Sequence, residues 1–285
     1  MNRNKPWHDW LFTRIALGSI FPLQILFAWY LAERTGTAVV PSFSEVIDVL
    51  THPFRPPDIY SRSLAFSFLM TLIRLTLGFG LGLVTAVPLG FLAGRYKPFY
   101  HLLNPVVQMA RPINPIVLLP IATVLFGLTS IASILYGELQ AWKHDILDQV
   151  QIAMILILWW GAFFPIFIST VHGVRTVRKT YIETMNLLRA SQWQIFYRVI
   201  LPFTLPDMLN GIRIAMGVTW LVLIAAEIFP GTRSGLGYML CTACKTSDYQ
   251  YTFSALIVIA ITGFIIDTMI HRFQKRVSHW RASEK

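Results

Sequence analysis

The chain has 285 residues, 55% of them hydrophobic and 13% charged, and its 24 Lys and Arg against 14 Asp and Glu give a net charge of +10. Soluble domains carry about 25% charged residues, so roughly half that level excludes an ordinary water-soluble protein and points into lipid. The basic residues sit at the ends of apolar blocks and not along one face of a soluble helix, which argues against a nucleic-acid partner, and two cysteines cannot make a disulfide framework.

A helix needs about 20 apolar residues to cross a hydrocarbon core of about 30 Å. Six stretches qualify: 12–32, 65–94, 102–127, 151–171, 209–229 and 252–271. The first follows a basic start (Arg3, Lys5) and ends in Trp29-Tyr30 and Glu33-Arg34 without a small-residue cleavage site, so it reads as a retained span and not as a signal peptide. A polar stretch with Pro53, Pro56 and Pro57 follows. The second span carries Gly78/Gly82 and Gly90/Gly94, spacings that allow close helix packing; Gly78-x-Gly80-x-Gly82 lies inside a span and is no nucleotide loop. Arg111, Pro112, Pro115 and Pro120 predict a third span that is kinked or partly unwound. Segment 129–150 has Ile131, Ile134, Leu135, Leu139, Trp142, Ile146 and Leu147 near helical spacing, with Glu138, Lys143, Asp145 and Asp148 between them, and predicts an amphipathic helix on the outer membrane surface.

Lys and Arg set the orientation. Segments 1–14, 95–101, 172–207 and the tail from Arg272 hold 15 of them, and the alternate segments hold 6. Both termini and the 172–207 loop are therefore expected in the cytoplasm of a bacterial inner (plasma) membrane, with the tail as an inside anchor. The expected fold is an all-α membrane protein, a polytopic bundle of about six transmembrane helices in one domain over 1–285.

The most specific segment is Tyr181–Pro206, too polar to cross, which reads as two short helices. Leu187, Leu188, Ile195, Phe196, Val199 and Ile200 supply an apolar face, Glu183, Arg189, Gln192 and Arg198 point elsewhere, and Leu201-Pro202 is expected to stop the second helix. Such a compact pair under the membrane suits a groove on another protein.

These residues resemble the coupling-helix motif of type I ABC importer permeases: Glu-Ala-Ala, a glycine, an aliphatic residue and Leu-Pro. Glu183, Val199 and Leu201-Pro202 occupy their positions; Thr184-Met185 replaces Ala-Ala and Arg189 replaces the glycine. The likeness extends over about 60–270 through Arg74-Leu-Thr-Leu-Gly-Phe, Pro88-Leu-Gly90, Arg111-Pro-Ile-Asn-Pro115, Gly211 to Glu227, and Ser234-Gly-Leu-Gly-Tyr238, which look like the nitrate/sulfonate/taurine branch. Segment 129–150 looks like an insertion relative to it. Arg at the glycine position is shared with nitrate- and bicarbonate-type permeases and tilts the reading towards an inorganic anion.

The resemblance implies a permease subunit moving a small anion (nitrate, nitrite, bicarbonate or cyanate class) from periplasm to cytoplasm, the alternative being a sulfonate, taurine or other small organic solute. It implies two ATPase subunits that bind ATP and Mg, a second permease copy, a periplasmic or lipid-anchored substrate-binding protein and membrane lipid as partners. This chain has no phosphate-binding Gly-rich Lys-Ser/Thr loop, so it would bind no cofactor itself and would not be an enzyme. Coupling to the ATPase would fall to Glu183, Thr184, Met185, Arg189, Ser191, Gln192, Val199, Leu201 and Pro202. Ionisable groups in spans normally face a bundle interior or water, which makes Arg74, Arg111 and Glu227, with Asn114 and Trp220, the candidates for the path. Each has a plainer reading: Arg74 as a helix fastener, Arg213 as a local pair, Glu227 as an ion-pair or gate residue, Trp220 as core, and the third span's prolines as a packing kink. A secondary transporter would want paired acids at mid-membrane, where only Glu227 and Asp267 qualify, and a membrane enzyme would want a ligand cluster or nucleophile–base pair. Cys241-x-x-Cys244 has no second cysteine pair or nearby His to close a zinc site.

Overall fold

The computed structural model describes residues 20, 24, 27–35, 40–57, 62–127, 129–137, 145–229 and 232–277. Most of the expected first span lies outside them, as do Arg3, Lys5, Arg14 and the last eight residues; the backbone is helical at 27–34. Among the described residues the secondary structure is all-helical apart from one isolated bridge between Ser130 and Gln151.

The helices are α1 (Phe43–Thr51), α2 (Leu64–Arg95), α3 (Lys97–Ala110), α4 (Pro115–Phe126), α5 (Ile131–Tyr136), α6 (Asp145–Asp148), α7 (Ile152–Thr176), α8 (Lys179–Leu187), α9 (Gln192–Ile228), α10 (Leu236–Lys245) and α11 (Tyr249–Val277). Helices α2, α7, α9 and α11 are each long and apolar enough to cross a membrane, and α3 with α4 makes a fifth crossing if the bent pair is one span.

Glycines set the packing of α2 on α7. A Cβ at Gly78, Gly82, Gly90 or Gly94 would collide with Leu158, Ala162, Thr170 or Val174 respectively. The partners rise together along both helices, so α2 and α7 run parallel and meet backbone to backbone. Two parallel spans require the chain between them to return across the bilayer, which is the work of the bent pair α3–α4. That pair is folded by 97° at Arg111–Asn114. Pro112 and Pro115 remove two backbone donors there, and Asn114 caps α4 by accepting from Ile116 N at 3.1 Å, with Pro115 in the first turn where its missing N–H costs nothing.

Helix α9 runs antiparallel to α7, with Gly173 against Thr204, Gly211 against Ser169, and Gly161 against Val218 and Thr219. Contrary to the expectation from Leu201-Pro202, the helix does not stop there. Phe196–Ile200 forms a π-turn in which Leu201 N bonds five residues back to Phe196 O, and the proline's absent N–H falls where this wider register returns to α. The chain thus passes from Gln192 into the span as one continuous helix.

Segment 129–150 also differs from a single amphipathic helix. Helix α5 ends at Gly137, whose φ of 80° is left-handed, and 138–144 lies outside the described residues. Ile131 N bonds Val150 O and Ile152 N bonds Thr129 O, so the base of the segment closes like a hairpin.

Candidate functional site

The C-terminal ends of α2 and α7 carry a small apolar cluster of Val174, Ile195 and Ile200, against which Phe91, Ile182, Met185, Ala190 and Phe196 pack. It seats the first turns of α9 and one side of α8, leaving the rest of the helical pair projecting. Leu187 is 85% exposed, Leu188 73% and Trp193 70%. The apolar face expected from spacing is therefore divided: Ile195, Val199 and Ile200 hold the pair to the bundle, and Leu187 and Leu188 point away from it. Glu183, Thr184, Arg189, Ser191 and Gln192 lie on that exposed side; Met185, Leu201 and Pro202 are half-buried, and Val199 is buried.

Two caps back to back make the corner. Arg189 has a φ of 55°, the left-handed conformation that glycine adopts most easily. Arg189 N bonds Asn186 O at 2.9 Å and Ala190 N bonds Met185 O at 3.0 Å, the paired bonds of a Schellman end, with the accompanying Met185–Ala190 apolar contact supplied by the cluster. Ser191 then caps α9, its hydroxyl accepting from Gln194 N at 3.3 Å while Gln194 Oε1 accepts from Ser191 N at 2.8 Å. The turn of the glycine-bearing motif is thus kept although arginine occupies its place. A side chain in this conformation costs about 1–2 kcal/mol. Arg189→Gly is expected to raise stability by up to about 1 kcal/mol once glycine's larger unfolded-state entropy is subtracted, readable as a higher unfolding midpoint in detergent.

At the opposite end of the bundle, Arg74 and Glu227 are each 0% exposed. Arg74 Nη1 donates to Glu227 Oε1 at 2.9 Å and to Ser234 O at 2.7 Å; Nη2 donates to Gln149 O at 2.8 Å and Ser234 Oγ at 3.2 Å. The Glu227 carboxylate also accepts from Thr71 Oγ1 at 2.9 and 3.0 Å and from Gly237 N at 2.9 Å, and Thr71 in turn accepts from Leu236 N. One ion pair thereby joins α2, α9, the start of α10 and the stem of segment 129–150. A Cβ at Gly235 (φ 116°) would strike the Glu227 carboxylate, and one at Gly237 would strike the α9 backbone at Ile224. Ser234-Gly-Leu-Gly is legible in sequence as a motif, but its role as the cradle of Glu227 is not. Thr71 and Gln149 carry no sequence signal of that kind.

The structure does not bring all the path candidates together. Arg111 and Asn114 lie exposed at the fold of α3–α4, where Pro115 packs beside Gly161 near Thr219. Trp220 is buried in the larger apolar cluster with Leu158 and Leu223. Arg213, Asp267 and His271 form a further polar group between α9 and α11. Among the described residues no group of His, Cys, Asp or Glu is arranged to hold a metal, and Cys241 and Cys244 are free thiols.

Residues 86–279 match the family described as the inner membrane component of binding-protein-dependent transport systems. The chain is 31% identical over 247 residues to a putative ABC transporter permease of Methanocaldococcus jannaschii, covering 87% of this chain and 84% of that one. It is 30% identical over 269 residues to a putative aliphatic sulfonates transport permease of Bacillus subtilis (93% and 88%), and 27% identical over 259 residues to a bicarbonate transport permease of Synechococcus elongatus (89% and 86%). Its fold resembles a chain in the crystal structure of a bacterial ABC transporter involved in alginate import, with a TM-score of 0.60, 15% identity and coverage of 95% and 97%. The chain belongs to the binding-protein-dependent family of inner-membrane transport components, and it is a multi-pass ABC importer permease subunit.

Proposed function

We propose that this permease moves a small anion inward, nitrate or bicarbonate in class, and that the projecting α8–α9 corner is the lever through which a separate ATPase drives it. The exposed Leu187-Leu188 step on a seated, doubly capped corner carries the coupling half of this reading. A solvent-facing apolar pair on so short an element is suited to a partner's groove and contributes little to its own fold. The excess of basic residues on the 172–207 side supports a cytoplasmic corner and cytoplasmic termini. Two copies of the chain on two ATPase subunits, fed by a periplasmic binding protein, complete the assembly that this reading requires.

The anion half rests on charge. Arg111 stands exposed at the α3–α4 fold, and among the described residues it has no carboxylate partner. Two of the relatives are named for the anions bicarbonate and aliphatic sulfonates, which fits a cationic path. The complete transporter in proteoliposomes, supplied with ATP and its binding protein, is expected to accumulate labelled nitrate or bicarbonate. Arg111→Gln should cut the rate about tenfold, the loss of one charge-assisted hydrogen bond, while ATP hydrolysis persists. Accumulation of taurine or another organic sulfonate alone would move the substrate to the second class, and accumulation of only neutral or cationic solutes would overturn the anion assignment.

A further inference from the structure

The cations in the spans are held in opposite ways. Arg74 is sealed, whereas Arg213 is open. Arg213 Nε and Nη2 each donate to one oxygen of Asp267 at 2.8 Å, and Nη1 lies 3.0 Å from His271 Nδ1. This pair links α9 to α11 with side chains 34% and 53% exposed. It stands at the inner end of the apolar stretch of α9 and about one turn from Arg272 on α11. Charges this accessible within apolar helices call for water or another polar group beside them and not acyl chains.

Two turns further along the same face of α9, about 10.5 Å away, stands Trp220. Trp220 is 8% exposed, and its indole edge lies against α11 at Gly263. Between Trp220 and Arg213 lies Gly217, where a Cβ would meet nothing within 4 Å, and opposite is Gly263, whose Cβ position is 2.9 Å from Trp220 Nε1. Arg213, Gly217, Trp220, Gly263 and Asp267 line one small pocket.

We propose that this pocket is an oxyanion site at the inner end of the transport path, taking a planar trigonal oxyanion such as nitrate or bicarbonate. The Asp267 carboxylate occupies the guanidinium fork between transport events. The proposal rests on the small-anion reading and deepens it by assigning residues. A guanidinium presents parallel N–H donors that match two oxygens in one plane, and carboxylate, nitrate and bicarbonate all offer that edge. Asp267 shows the fit already, because both of its oxygens are engaged at equal distance. Trp220 packed on Gly263 walls one end of the pocket, Gly217 leaves space beside it, and an arriving oxyanion displaces Asp267 without leaving the arginine bare.

The test uses the whole permease–ATPase complex in nanodiscs, with sodium nitrate titrated at constant ionic strength against chloride and the shift of the unfolding midpoint as readout. Asp267→Asn is expected to bind nitrate at least about tenfold more tightly than the natural chain, because the internal competitor is neutralised. Arg213→Lys combined with Asp267→Asn keeps the charge but loses the fork, and should cancel the gain. Asp267→Ser is the second vacating variant. Nitrate binding no tighter in either vacated form than in the natural chain, or a gain that survives Arg213→Lys, overturns the proposal. Failure of both vacated forms to assemble would make the pair a helix clamp and overturn it as well. Uptake in the same complex separates the two readings: import of only neutral or cationic solutes removes the small-anion function, whereas import of anions with no gain in the vacated forms removes this site alone.

Discussion

Arg74→Ala is expected to leave little folded permease in the membrane. Glu227 would remain fully buried with its carboxylate facing the space the guanidinium filled, and stranding one member of a buried pair costs about 3–5 kcal/mol. The carbonyls of Gln149 and Ser234 lose their donors in the same step. Against a total stability of about 5–15 kcal/mol, that loss should lower the unfolding midpoint steeply and reduce the purified yield. Exchanging both partners for apolar residues, Arg74→Met with Glu227→Leu, removes the stranded charge and should recover part of the loss. Recovery stays partial, because Gly237 N and the Thr71 hydroxyl still lack the carboxylate. An unchanged midpoint in Arg74→Ala would contradict the network as the fastener of this end of the bundle.

Leu187→Asp with Leu188→Asp is expected to have the reverse profile. Both side chains are largely exposed, so the change should move the permease's own stability by no more than about 0.5 kcal/mol. A carboxylate pair at the centre of an apolar contact should nevertheless weaken ATPase binding by about a hundredfold or more and abolish uptake. Ile195→Ala supplies the contrast: it opens a cavity in the buried cluster with Val174 and Ile200 and costs about 2–4 kcal/mol of stability. The measurements are unfolding midpoint, retention of the ATPase during purification, and uptake. A double aspartate variant that keeps its ATPase and transports normally would contradict the lever.

What sequence could reveal followed the reach of its signals. Glycines four residues apart in α2 announce close packing because the small-residue period is local, and the prolines of the third span announce its break for the same reason. Pro202 misleads, since proline's missing donor ends an α-helix unless the register widens, and nothing in Phe196–Ile200 advertises a π-turn. Hydrophobicity alone cannot divide Leu187 and Leu188 from Ile195 and Ile200, because helical spacing places all four on similar faces until the docking of α8 on α2 and α7 selects one side. Arg74 and Glu227 stand 153 residues apart, and no periodicity links them. The same holds for Arg213 and Asp267, whose meeting depends on the antiparallel packing of α9 and α11. In segment 129–150 the apolar spacing is real, but the left-handed Gly137 ends the helix after six residues.

The most direct test of the coupling account is a cysteine crosslink from the corner. With Cys241 and Cys244 replaced by Ser, Leu187→Cys is paired in the complete transporter with cysteines across the membrane-facing surface of the ATPase. Leu187→Cys should crosslink to the ATPase and the yield should change when ATP is added, while Val124→Cys on the exposed face of α4 should give none. Equal labelling from both positions, or no ATPase product from residue 187 in a transporter that still imports, would show that the corner is not the lever.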